Sequence, residues 1–238
     1  MTDNSLTAEE RLRRVQQQIA GALALNRRPA GDATLLAVSK TRPASDILAL
    51  YQSGQRRFGE NYLQEALQKI AQLDGYDIEW HFIGPIQSNK CRDLARHFSW
   101  VHSVERLKIA QRLSEQRPAE LPPLNICLQV NVSGEASKSG CSLDELPRLA
   151  AAVASLPRLQ LRGLMTIPAP CDDPERQRLP FRTLREALER VRGEGLALDT
   201  LSMGMSADLG AAIAEGATLV RIGTALFGSR PARTESLP

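Results

Sequence analysis

The sequence predicts an α/β chain of the (β/α)8 TIM barrel class, on three observations. Eight short strand-like apolar runs alternate with longer runs of helical period along the whole chain. No Gly-x-Gly-x-x-Gly follows the first strand, where a doubly wound dinucleotide-binding sheet would carry it. Polar residues gather at the C-terminal ends of many different strands, which is where a barrel builds its site. A length of 238 residues suits one such barrel, and 42% hydrophobic residues suffice for its core. One domain is expected over 1–238, with 1–34 as N-terminal helix and lead-in and 229–238 as a frayed tail.

The elements follow in order. A helix is expected over 7–25, because Leu12, Val15, Ile19 and Leu23 recur at helical spacing on one face. The strand runs are 35–39, 56–60, 79–84, 100–104, 125–132, 162–167, 200–204 and 218–223. Helical patterns fill the intervals at 44–53, 62–73, 89–98, 107–117, 143–155, 180–192 and 207–215. Ser142 and Ser206 stand where helix starters belong, and Gly54 and Gly216 where helices stop. The proline-rich stretches at 118–123 and 168–174 read as loops.

Composition excludes several function classes. The net charge of +3 comes from 30 basic and 27 acidic residues spread along the chain, without the basic stripe of a nucleic-acid binder. No run approaches the roughly 20 apolar residues of a membrane helix. The N-terminal segment lacks the apolar core of a signal peptide, so a cytoplasmic location is expected. Cys91, Cys127, Cys141 and Cys171 lie far apart with no metal-ligand spacing, so neither a metal site nor a disulfide framework is expected.

Strand ends carry the candidate chemistry. Lys40 leaves the first strand toward the barrel mouth. It reads as a snorkelling strand-end lysine or as a desolvated amine nucleophile, and its position alone does not choose. After strand seven, Ser206 is placed as the N-cap of the next helix, where free amides make an anion site. After strand eight, Gly223 allows close backbone approach and Thr224 offers an amide and a hydroxyl to the same anion. Arg221 shares the inward side of that strand, and a buried guanidinium needs a carboxylate or a ligand atom as partner. Asn61 and His81 are candidates to line the same mouth, although a strand histidine also reads as a satisfied core residue. Met165 and Met203 read as packing residues, with Met165 able to touch a ligand ring.

Seven motifs then carry a resemblance: AVSKTRP (37–43), FGENYLQEA (58–66), WHFIGPIQSNK (80–90), QVNVSGEASKSG (129–140), GLMTI (163–167), LSMGMSAD (201–208) and VRIGTALFG (220–228). In this order and spacing the chain resembles the pyridoxal phosphate homeostasis proteins, a family similar to the barrel domain of alanine racemase. The resemblance implies a fold-type-III barrel binding pyridoxal 5′-phosphate (PLP). It implies Lys40 as the Schiff-base lysine, Met205, Ser206, Gly223 and Thr224 at the phosphate, and Arg221 at the pyridine nitrogen. Asn61, His81 and Met165 would line the pocket, and Lys138 would be a surface or anion-steering residue.

The function expected from this resemblance is a PLP carrier or buffer in vitamin B6 homeostasis, without appreciable catalysis. Arginine cannot accept a proton from the ring, so the electron sink is weak. The chain also ends soon after its last strand motif, with no second domain to supply an opposing base. Transient transfer to PLP-dependent apo-enzymes and a monomeric state are expected with it. Two alternatives stay open. One is a slow amino-acid racemase or transferase using His81 or Tyr62, the other a Schiff-base aldolase acting on a sugar phosphate.

Overall fold

A computed structural model describes residues 6–135 and 138–228; the tail expected at 229–238 lies outside the described residues, as do 1–5 and 136–137. Parallel strands close into a barrel in chain order. They are β1 (Thr34–Val38), β2 (Arg57–Glu60), β3 (Glu79–Phe82), β4 (Trp100–Val104), β5 (Leu124–Gln129), β6 (Leu159–Met165), β7 (Thr200–Ser202) and β8 (Leu219–Ile222). β8 pairs back onto β1, setting Leu36 opposite Arg221. Each strand overlaps one of the eight predicted runs.

Around the barrel run α1 (Ala8–Leu25), α2 (Ala44–Gln52), α3 (Leu63–Gln72), α4 (Cys91–His97), α5 (Leu107–Gln116), α6 (Leu146–Ala154), α7 (Pro174–Gly193) and α8 (Leu209–Ala214). Thr7 caps α1 in a reciprocal box with Glu10, and the predicted Leu12, Val15, Ile19 and Leu23 form its buried face. Two helices differ from expectation. α7 begins at Pro174, because Asp173 accepts the amides of Glu175 and Arg176 and Pro174 occupies the first turn, where no N–H is needed. The helix continues through Pro180. A short α9 (Thr224–Phe227), with no periodic pattern to announce it, follows β8.

The largest core fills the annulus between strands and helices, as alternating β and α units require. Inside the barrel the packing is more polar. Leu36, Ile83 and Leu219 form one small cluster, and Trp100, Cys127 and Met165 another. Between them lie buried His81, His102, Ser202 and Arg221. Among the described residues no helix is long and apolar enough to cross a membrane.

Candidate functional site

The C-terminal ends of the strands surround a cavity of about 390 Å³. β1 contributes Val38 and, just past its end, half-buried Lys40 and Arg42. The loops after β7 and β8 contribute Met205, Ser206, Gly223 and Thr224, and β8 itself contributes Arg221. Asn61, Ile83, Ile167 and Ala207 complete the wall. Three lining side chains are cationic and none is a carboxylate, so the cavity favours an anion.

Arg221 sits deepest. Its Nη1 donates to the Ser202 carbonyl (2.6 Å) and Oγ (2.9 Å), and its Nη2 to the Thr166 carbonyl (2.8 Å). Its direct partners are thus neutral oxygens, with Asp208 acting at longer range. Burial pulls the Arg221 pKa down to about 10, against the upward pull of Asp208, so the guanidinium stays charged at neutral pH. Asn61 is aimed inward with its Oδ1 buried and lacking a hydrogen-bond partner, as an acceptor awaiting a ligand donor would be. Its backbone is pressed against Gly84, where an added Cβ would lie 2.1 Å from the Asn61 carbonyl oxygen.

The exit of β1 is braced from behind. Lys69 on α3 donates to the Ser39 carbonyl (2.8 Å), to Glu60 Oε1 (2.7 Å) and to Glu65. Ser39 Oγ donates to the same Glu60 oxygen at 2.6 Å, and Glu65 accepts the Thr41 amide. Lys40 is therefore flanked by two backbone groups held in one charged cluster, and Thr41 adopts the left-handed region at φ 63°. Burial pushes the Glu60 carboxyl up, with Lys69 opposing, and its Oε2 has no partner. This bracing was missed from sequence. The available signal was a lysine on the apolar face of an amphipathic helix, four residues after Glu65.

Seven of the residues singled out from sequence line this cavity: Lys40, Asn61, Met205, Ser206, Arg221, Gly223 and Thr224. Two do not. His81 and Met165 are fully buried, and the cavity wall is formed instead by Ile83 and Ile167, two residues further along the chain and just past the ends of β3 and β6. Strand alternation makes both pairs inward, and only the closed barrel decides which member reaches the mouth. Ser206 is also not a helix cap. Asp208 takes the Met205 amide at 2.5 Å, closing a turn that contains Ser206, and α8 begins at Leu209 with Asp208 at its N-cap. Gly223 does sit close to β1, its hypothetical Cβ 3.3 Å from the Val38 carbonyl. Lys138 lies at a separate opening beside Glu105 and Arg106, and Tyr62 is exposed outside the cavity wall. Among the described residues no group of three or more His, Cys, Asp or Glu could hold a metal ion.

Comparison with known proteins adds a family to this geometry. The model of the alanine racemase N-terminal domain matches residues 15–231. A pyridoxal phosphate homeostasis protein of Pseudomonas aeruginosa is 61% identical over 94% of this chain and 96% of its own. That of Escherichia coli is 54% identical over 92% and 95%. The structure of PipY from Synechococcus elongatus, solved with PLP bound, superposes with a TM-score of 0.78 at 38% identity, over 88% of this chain and 100% of that one. Alanine racemase of Clostridium difficile shares the fold at a TM-score of 0.71 and 14% identity, this chain spanning 57% of it. The chain belongs to the pyridoxal phosphate homeostasis protein family, on the alanine racemase N-terminal barrel.

Proposed function

We propose that this chain binds PLP in the mouth cavity as a Schiff base on Lys40 and acts in cytoplasmic vitamin B6 homeostasis as a monomeric, single-barrel carrier. One observation carries the reading: an amine at a strand exit shares a carboxylate-free cavity with Arg42 and Arg221. Such a cavity suits a ligand that is both a phosphate and an aldehyde. The phosphate falls to Ser206, Thr224 and the backbone amides of the loops after β7 and β8, in the position barrels use for phosphate. The PLP-bound structure of PipY, a relative at 38% identity, supports the same occupant here.

Bound there, PLP would supply a carbonyl for the amine and an electron-withdrawing ring. The protein's own residues argue against rapid turnover. Arg221 stays protonated with its pKa at about 10, so it cannot take a proton from a ring nitrogen beside it. His81 and Tyr62, the two acid–base candidates, both lie off the cavity wall. A carrier that hands its cofactor to PLP-dependent apo-enzymes fits this equipment better than a racemase.

The test is direct. Purified protein incubated with PLP should turn yellow, and borohydride should trap the cofactor on Lys40 in a peptide map. Deuterium exchange at the α-carbon of a panel of L-amino acids should stay far below roughly 1 s⁻¹, an ordinary enzymatic rate. Trapping on another lysine would overturn the site, and faster exchange would overturn the carrier reading.

A further inference from the structure

A chain of buried polar groups runs down the barrel axis from Arg221 to the opposite face. Arg221 Nη1 lies 2.9 Å from Ser202 Oγ, and Ser202 Oγ lies 2.8 Å from His102 Nδ1. His102 Nε2 meets His81 Nδ1 at 2.9 Å, and His81 Nε2 meets Glu79 Oε1 at 2.8 Å. Arg57 holds the same Glu79 oxygen at 2.9 Å, where the barrel floor opens. Ser202, His81 and His102 are fully buried, so every bond must be satisfied within the chain.

The two ends dictate its direction. An ionised carboxylate only accepts and a guanidinium only donates. His81 and Arg57 hold the Glu79 pKa below its usual range against burial, so Glu79 is ionised at neutral pH. His81 must then carry its proton on Nε2, which leaves Nδ1 to accept from His102. His102 in turn carries its proton on Nε2 and accepts on Nδ1 from the Ser202 hydroxyl. Ser202 Oγ, its own proton committed, faces Arg221 as an acceptor. No other arrangement of two neutral imidazoles completes the chain.

Resting on the PLP-binding reading above, we infer that Ser202, His102 and His81 are positioning residues that orient Arg221 toward the cofactor ring. An added proton on either imidazole would turn the Ser202 hydroxyl around and set a second cation near Arg221. Burial lowers both histidine pKa values; for His81 Glu79 opposes the shift, and for His102 His81 and Arg221 reinforce it. The other titratable or charged groups around the chain are Asp32 before β1, Arg57 from β2, Cys127 from β5, Arg162 from β6, Asp199 before β7 and Asp208 after it. Arg162 and Asp199 neutralise each other in a 2.6 Å ion pair, and burial pushes the Cys127 thiol up to about 12.

The experiment uses the whole protein, PLP, and a PLP analogue with carbon in place of the ring nitrogen. Uptake of PLP by the wild type tests the binding reading separately, and its failure would remove both conclusions. His102→Leu and Ser202→Ala break the chain, while His102→Gln keeps one acceptor and one donor. Each broken variant should lose PLP affinity about tenfold, as expected when a hydrogen bond to a charged group is disturbed. The same variants should bind the analogue as the wild type does, and His102→Gln should recover most of the PLP affinity. Equal losses for both ligands would mean a general structural effect and would overturn the inference, as would no loss at all. Should His102→Leu fail to fold, Ser202→Ala carries the comparison. Ring ¹⁵N spectra provide an independent reading, since the chain has 3 histidines. His81 and His102 should both appear as neutral Nε2–H tautomers, and an Nδ1–H form of either at neutral pH would refute the chain's direction.

Discussion

Replacing Lys69 by methionine should destabilise the protein strongly and in a pH-dependent way. Methionine keeps much of the length and removes a charge whose side chain is 6% exposed. Lost with it are the contacts to Ser39, Glu60 and Glu65. The larger consequence is Glu60, fully buried, with one oxygen already unpartnered and its cation gone. Breaking a buried pair by removing one member costs about 3–5 kcal/mol. At roughly 2–4 °C per kcal/mol for a domain of this size, Tm should fall by about 6–20 °C near pH 8.

The pH dependence follows from Glu60. Burial already raises its folded pKa above the ordinary glutamate value, and losing Lys69 raises it further. Stability linked to a raised acid is fully present below the unfolded pKa and is lost as pH rises through the folded one. The deficit against wild type should therefore shrink as pH falls toward about 5. Adding Glu60→Gln should restore much of the loss by removing the stranded charge. Calorimetric melts of wild type, Lys69→Met and the double variant near pH 8 and about pH 5 make the measurement. A variant within about 2 °C of wild type near pH 8, or a deficit indifferent to both pH and Glu60→Gln, would refute the reasoning.

Three further outcomes are expected. Lys40→Ala should lose the borohydride-stable cofactor while the protein still folds, because the side chain lies at the cavity wall; persistent labelling in a peptide map would contradict it. Pyridoxal without phosphate should bind far more weakly than PLP, since charge-assisted hydrogen bonds are worth about 1.5–3 kcal/mol each, and equal affinities in a fluorescence titration would remove the loops after β7 and β8 as the phosphate site. Gly84→Ala should cost about 1–3 kcal/mol and weaken PLP binding. Its methyl must displace the Asn61 carbonyl, now 2.1 Å from the Cβ position, and unchanged stability and affinity would show that this loop gives way freely.

Fold class was legible because each unit announces itself locally. Strand runs of apolar residues and amphipathic helices such as α1 and α3 are written in nearest-neighbour spacing, and strict alternation of the two leaves few architectures. Helix ends were less legible where two signals competed. Pro180 reads as a start, yet Asp173 with Pro174 forms the actual one and the helix tolerates the later proline. At the end of β7, Ser206 and Asp208 are both plausible caps. The choice fell to Asp208, whose carboxylate reaches back to the Met205 amide.

The residue pattern alone determined the barrel, the lysine at the end of β1, the arginine on β8 and the two loops that flank the cavity. These follow from strand order and the two-residue alternation, which are properties of the chain as written. Only the closed barrel decided the level each inward residue occupies. Ile83 and Ile167 reach the mouth, while His81 and Met165 lie deeper, because register between strands and barrel closure set height along the axis. The same closure brought Ser202, His102, His81 and Glu79 from three strands into one line. It also brought Lys69 from α3 beneath the Ser39 carbonyl, 30 residues away in sequence. Contacts between residues so far apart depend on how twisted strands and their helices pack, and no local pattern encodes them.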